Sequence, residues 1–145
     1  MRFSTREQYG LRAMARLSRF HGQGPVSLAE VAEAEGLPLP YLEQIMASLR
    51  RAGLVQSTRG AYGGYELGRA PEVITAGDII RALEGSIVPI QCLGDCSHTS
   101  CAREASCATR SVWEQVHDRL VETLDGITLA DLQSPQPAPH AKELA

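Results

Sequence analysis

SLAEVAEAEGLPLPYLEQIMASLRRAGLVQSTRGAYGGYEL, residues 27–67, packs two helical periods, a tight turn and a glycine-rich hairpin into close succession. Ser27-Leu28-Ala29-Glu30 is a capping box, in which the serine hydroxyl accepts an orphan backbone N–H and the glutamate reaches back to the cap. The short helix it opens, Leu28–Glu35, turns Leu28, Val31 and Ala32 inward and is closed by Gly36 in the left-handed C-cap position. Leu37-Pro38-Leu39-Pro40 makes the turn, and its second proline has no N–H to waste at the start of a helix. The next helix spans about residues 40–52. Its apolar positions Leu42, Ile45, Met46 and Leu49 recur at i, i+3, i+4 and i+7 and face the core. Tyr41, Glu43, Gln44, Ser48 and Arg51 are left mainly for the outer faces, and Gly53 stops the helix.

Residues 54–57 and 65–67 read as two short strands around a loop that carries Arg59 and Tyr62. The whole is the pattern of a winged helix-turn-helix. In such a unit the longer helix can enter the major groove of DNA while the hairpin reaches the backbone or the minor groove, where negative potential favours arginine. A hairpin that merely caps a helical bundle is the competing interpretation.

Upstream, Ser4-Thr5-Arg6-Glu7 is another capping box and starts a helix to about residue 20, with Leu11, Met14, Leu17 and Phe20 on one face. Downstream, Thr75 and Asp78 mark the start of a helix whose buried stripe is Ile79, Ile80 and Leu83, and Gly85 ends it. A longer helix, capped by Thr109, runs to about residue 124 with Val112, Trp113, Val116, Leu120, Val121 and Leu124 as its apolar residues. That stripe is wide for a helix packed only on a small winged body. It suits helix against helix across a dimer, with intrachain core as the alternative. Residues 128–132 add one more turn, and the proline-rich stretch after residue 133 is expected to be disordered.

Composition narrows the class. The 145 residues are 43% apolar and 21% charged, as expected of a globular chain. No run of about eighteen apolar residues is present to cross a bilayer, and MRFSTREQYG lacks the apolar core of a signal peptide. The expected location is the cytoplasm, with no membrane partner. Charge is unevenly placed: residues 1–70 carry nine Arg and six Glu, residues 71–145 five basic and eleven acidic groups. Thirteen of the fourteen basic residues are Arg, which suits bidentate contacts to phosphate or guanine. The four histidines, His21, His98, His117 and His140, are scattered, no pocket signature accompanies them, and neither an enzyme nor a small-molecule substrate is expected.

All four cysteines fall in CLGDCSHTSCAREASC, residues 92–107, at spacings Cys-x3-Cys-x4-Cys-x5-Cys. Buried structural cysteines behave as small hydrophobes, but these lie among Gly, Asp, Ser, His and Thr. In a reducing compartment clustered thiols bind metal or sense redox state. On chemistry alone four thiolates suit an iron-sulfur cluster or tetrahedral zinc equally well.

With the wing and the cysteines placed, the sequence resembles the iron-sulfur-sensing transcription regulators of the IscR and NsrR type over roughly residues 1–132. The resemblance is carried by MRFSTREQYGLRAM, LPLPYLEQIMASLRRAGLV, STRGAYGGYELGRAP, VITAGDIIRALEG and the cysteines followed by ATRSVW, in that order. It implies a homodimer with a long crossing helix and a cluster (2Fe-2S or 4Fe-4S) in the loop before that helix. It also implies three cysteine ligands, carried over to Cys92, Cys101 and Cys107. Members that take a fourth ligand from the partner's first helix use an acidic residue where this chain has Gln8, and another pattern places His where it has Arg110. Neither residue here suits a metal, so Cys96 is the favoured fourth ligand, with Glu7 and His98 behind it, or else a resolving cysteine that forms a disulfide when the cluster is lost.

The expectation is therefore a mainly α protein: a winged helix-turn-helix with a small β-hairpin wing plus a long C-terminal dimerisation helix. Residues 1–85 would bind DNA, 86–107 hold the cluster, 108–132 form the dimerisation region and 133–145 the tail. Its function would be a homodimeric repressor of a double-stranded DNA operator, sensing redox, nitric oxide or iron-sulfur status. Arg59 would contact DNA from the wing, Tyr41, Glu43 and Gln44 from the recognition helix, and Ser27 or Arg51 would meet phosphate; Glu43 can accept from cytosine N4. Rival expectations are a zinc-stabilised winged-helix regulator or interaction domain, and a thiol/disulfide sensor without a cluster.

Overall fold

In the computed structural model, which describes residues 3–88 and 106–133, the chain is mainly helical with one antiparallel hairpin. The elements are α1 (Thr5–Ser18), α2 (Leu28–Glu35), α3 (Leu39–Arg51), β1 (Val55–Thr58), β2 (Gly64–Leu67), a 3-10 turn (Pro71–Val73), α4 (Ala76–Glu84), α5 (Arg110–Asp125) and α6 (Leu129–Gln133). The hairpin pairs Val55 with Leu67 through to Thr58 with Gly64. The tail expected after residue 133 lies outside the described residues.

Local chemistry explains most of the boundaries. At the head of α1 the Ser4 hydroxyl accepts the Glu7 N–H at 3.2 Å and the Glu7 carboxylate accepts the Ser4 N–H, a complete capping box. The helix ends at Ser18 rather than residue 20 because the next N–H groups bond only three residues back: Arg19 to Arg16, Phe20 to Leu17 and His21 to Ser18. Gly36 takes φ +65° and ends α2 as expected. The Ser27 cap is one-sided: its hydroxyl accepts the Glu30 N–H at 3.3 Å, and among the described residues no bond returns from the Glu30 carboxylate. Helix α3 has no side-chain cap at all, since Pro38 stands there. Leu42, Ile45, Met46 and Leu49 are each fully buried, and at roughly 1.5–3 kcal/mol per large apolar side chain that burial outweighs a missing cap.

The core joins these four residues to Met14 and Leu17 of α1, Val31 of α2, Leu54, Val55 and Leu67 of the hairpin, and Ile74, Ile79 and Leu83 around α4. Two pairings tie distant segments to it. Val26 and Tyr65 exchange backbone hydrogen bonds of 2.8 Å, so the segment before α2 lies along the wing, and Gly64 is required there because a Cβ would overlap the Val26 backbone. Ala76 N–H donates to Ile127 O at 2.8 Å and Leu129 N–H to Ile74 O at 2.9 Å, which seats α6 against α1 and the 3-10 turn and buries Leu129 completely. Gln133 Nε2 then donates to the Ser18 carbonyl at 2.9 Å, closing the chain back onto α1.

Helix α5 is different. None of its residues is buried; Val112 is 52%, Trp113 38% and Val116 36% exposed. Among the described residues the first half of its apolar stripe is thus exposed, while Leu120, Val121 and Leu124, nearer α4, are half-buried. Thr109 precedes it as expected but does not cap it: the residue is already helical (φ −98°, ψ −5°) and makes no side-chain cap bond.

Candidate nucleic-acid interface

Helices α2 and α3 and the hairpin form one surface. Ser27 sits half-buried at the start of α2, with its hydroxyl oxygen occupied by the Glu30 N–H. On α3, Glu43 and Gln44 are exposed, and Tyr41 is half-buried with its ring edge-on to Tyr9 of α1 at 5.8 Å and 77°. Ser48, expected on an outer face, is only 6% exposed. Its hydroxyl donates to the Gln44 carbonyl at 3.4 Å and accepts from Nη2 of Arg6 and, at 3.2 Å, from Nη2 of Arg51, so two guanidinium groups cover it.

The wing is joined to the same helix. Arg50 Nη1 donates to Ser57 Oγ at 3.2 Å, holding the end of α3 against β1. The loop turns on Gly60, at φ +115°, whose carbonyl accepts the Gly63 N–H at 3.0 Å. That turn leaves Arg59 exposed and Tyr62 95% exposed. Glu43, Gln44 and Arg51 of α3 and Arg59 of the wing are thus each exposed, Tyr41 packs on α1, and Ser27 belongs to the end of the neighbouring helix. The sequence pattern did not mark Arg6, Arg50 or Ser48 as part of this constellation, because nothing local links them. Tyr62 had a signal, an aromatic residue at the tip of a glycine-rich loop.

Of the four cysteines, Cys107 is within the described residues; Cys92, Cys96, Cys101 and the candidate His98 lie outside them. Cys107 is exposed two residues before Thr109, with Sγ and Oγ1 3.4 Å apart. The Thr109 hydroxyl first, then the Thr109 and Arg110 backbone and the Arg110 charge, favour the thiolate and hold the thiol below its ordinary range. That is the character a metal-binding thiol needs. Among the described residues no group of three or more His, Cys, Asp and Glu is arranged to hold a metal. Glu7, a fallback ligand, is buried and committed to the Ser4 cap, beside a cavity of about 720 Å³ that Phe3, Leu11, Ile80 and Leu124 also line. Gln8 donates to the Phe3 carbonyl at 3.0 Å, and Arg110 pairs with Glu114 at 2.8 Å.

A helix-turn-helix with an exposed recognition face and a hairpin wing bearing an exposed arginine defines a winged-helix transcription regulator. Residues 3–135 match the Rrf2 family, described as iron-dependent transcriptional regulators, and the chain belongs to that family. The regulator CymR of Bacillus subtilis is 48% identical over 134 residues, 92% of this chain and 91% of that protein. The solved structure of CymR, described as the global cysteine regulator of B. subtilis, aligns with a TM-score of 0.76 over 94% of this chain and 99% of its own at 46% identity. The T. potens IscR structure aligns at 0.74 over 94% of each chain with 45% identity. The oxidized form of Staphylococcus aureus CymR aligns at 0.75 over 95% of this chain and all of its own with 38% identity. These relatives are named as regulators rather than enzymes, as expected. In addition, no described helix is long and apolar enough to cross a membrane.

Proposed function

We propose that the chain is a cytoplasmic, homodimeric repressor whose binding to a double-stranded DNA operator is governed by an iron-sulfur cluster held in residues 86–107 by Cys92, Cys96, Cys101 and Cys107. The observation that carries this reading is the placement of four thiols within sixteen residues directly before α5, a helix whose apolar residues Val112, Trp113 and Val116 are left exposed among the described residues. A helix of this length is marginal alone in water, so a second copy packed on Val112, Trp113 and Val116 is the natural cover. The donor set suits the cluster: Cys107 favours its thiolate, and Cys96 takes the place for which Gln8 and Arg110 are unsuited. A cluster bound there supplies a centre that oxidation, nitric oxide or iron loss can alter. The chain's own contribution is positional, because Cys107 lies beside the first turn of α5 while Asp125 at the far end is bonded to α4. A change of order at the cysteines thereby reaches the spacing of two recognition helices, and dimeric regulators read half-sites whose separation is geometrically fixed. Arg59, Tyr41, Glu43 and Gln44 then contact DNA, with Ser27 or Arg51 on phosphate.

A second reading, a thiol/disulfide sensor without a cluster, is favoured by the exposed, thiolate-prone Cys107 and by the likeness to CymR, described for B. subtilis as a cysteine regulator and solved for S. aureus in an oxidized form. Anaerobic purification from iron-replete cells, followed by absorption spectroscopy and iron, sulfide and zinc analysis of wild type and Cys96→Ala, separates the readings. Iron and sulfide in the wild type are expected, with an altered or lost cluster in the variant. Stoichiometric zinc without sulfide would establish a zinc-stabilised regulator instead. Metal-free protein that forms a disulfide on oxidation would establish the thiol sensor.

A further inference from the structure

Helix α3 is flanked on both sides. The wing lies on one side, joined through Arg50 and Ser57, and α1 lies on the other, where Tyr9 meets Tyr41 and Arg6 meets Ser48. At this second edge Arg6 and Arg51 both donate to the Ser48 hydroxyl, and among the described residues neither has a carboxylate partner. The Nε of Arg6 is also buried without a hydrogen-bond acceptor among the described residues. Other arginines of α1 are differently placed: Arg12 pairs with Glu35 at 3.5 Å and lies over Tyr9, and Arg16 lies over Phe20. One neutral hydroxyl cannot offset two converging positive charges, and it leaves an arginine N–H unsatisfied. An oxyanion has the charge and the several acceptor lone pairs that two guanidinium forks require.

We propose that Arg6 and Arg51, converging on Ser48, form a phosphodiester site that seats the DNA backbone on the side of α3 opposite the wing. The inference rests on the DNA-binding reading and adds α1 to the elements that touch DNA. Gln44 stands one turn before Ser48 on the same face of α3, so a strand reaching the site passes the recognition face. With Arg59 of the wing beyond the other edge, the helix is bracketed by a cation on each side, the arrangement that fits a helix lying between two phosphate strands.

The test is fluorescence anisotropy of the full-length protein with two labelled duplexes, one of random sequence and one enriched from a random pool by the wild type, across a potassium chloride series. Arg6→Gln, which keeps a polar, hydrogen-bonding side chain but removes the charge, is expected to weaken both duplexes by a similar factor, roughly tenfold. It should also lower the slope of log affinity against log salt by about one for each subunit bound. Arg6→Lys should retain most of the slope. An unchanged slope in Arg6→Gln, with the wild type binding normally, overturns this inference and leaves the DNA-binding reading standing. A wild type that binds neither duplex overturns both. Should Arg6→Gln fail to fold, Arg51→Gln in the same series decides, an unchanged slope again overturning the pair. Thermal stabilisation of wild type but not Arg6→Gln by inorganic phosphate, without any difference in DNA slope, would mark a free-anion site and overturn the DNA assignment.

Discussion

Arg81 and Asp125 form a two-pronged bridge, Nη1 to Oδ1 at 2.7 Å and Nη2 to Oδ2 at 2.8 Å, between α4 and the last residue of α5. The bridge fastens one end of α5 to the winged body. Both side chains are about 40% exposed, so it contributes at most about 1 kcal/mol to stability, and its larger role is orientation.

The bridge has a pH signature. The Arg81 hydrogen bond, foremost, holds the Asp125 carboxyl below its ordinary range. A carboxylate whose folded pKa is depressed contributes stability that is complete above its unfolded pKa of about 3.9 and is lost as pH falls through the folded value. In urea melts the stability difference between wild type and Asp125→Asn should therefore be present at neutral pH and shrink below about pH 4. Asp131, held low by Thr128, is common to both proteins and cancels. A difference independent of pH would show that Asp125 acts through something other than its charge.

Gly77 lies beneath the Asp125 carboxylate, where a Cβ would overlap Oδ1. The obstructing atom is the free end of a half-exposed side chain and can swing away, at the cost of the bridge. Alanine offsets that loss with better helix propensity, by about 1 kcal/mol or less in a first turn. Gly77→Ala should thus keep its stability within about 1 kcal/mol of wild type. In that background the acid-dependent difference made by Asp125→Asn should disappear. Double-mutant urea melts over pH measure the coupling directly.

Trp113→Glu places a charge in the uncovered face of α5. Because no residue of that helix is buried among the described residues, the winged body should keep its helical circular dichroism. Light scattering should report a monomer, against the dimer expected for the wild type. A dimer of unchanged stability would move the interface away from this face.

Arg59→Ala removes the exposed wing cation. Operator affinity should fall by about 1–3 kcal/mol, with the oligomeric state unaltered. Gel-shift titration with parallel light scattering distinguishes this from a folding defect, and unaltered affinity would remove Arg59 from the interface.

Much of the molecule was legible in its sequence because the governing interactions are short in range. The span of α2, its Gly36 stop, the buried quartet of α3 and the capping boxes at Ser4 and Thr75 depend on residues three or four positions apart. The end of α1 and the cap of α5 were less legible, since several local bonding patterns compete at a helix terminus. Arg59 stood out as a loop cation, whereas Ser48 was assigned to an outer face that Arg6, forty-two positions away, helps to close.

The sequence by itself determined the winged helix-turn-helix and the four clustered thiols, which are expressed in periodicity, turn residues and spacing, and its resemblance to known regulators pointed to the family. Only the tertiary structure decided which polar residues meet: Arg6 and Arg51 at Ser48, Val26 along Tyr65, and Arg81 with Asp125 over Gly77. Those meetings are set by how helices pack once their apolar faces are buried, and no local pattern encodes the distance between side chains brought together by that packing.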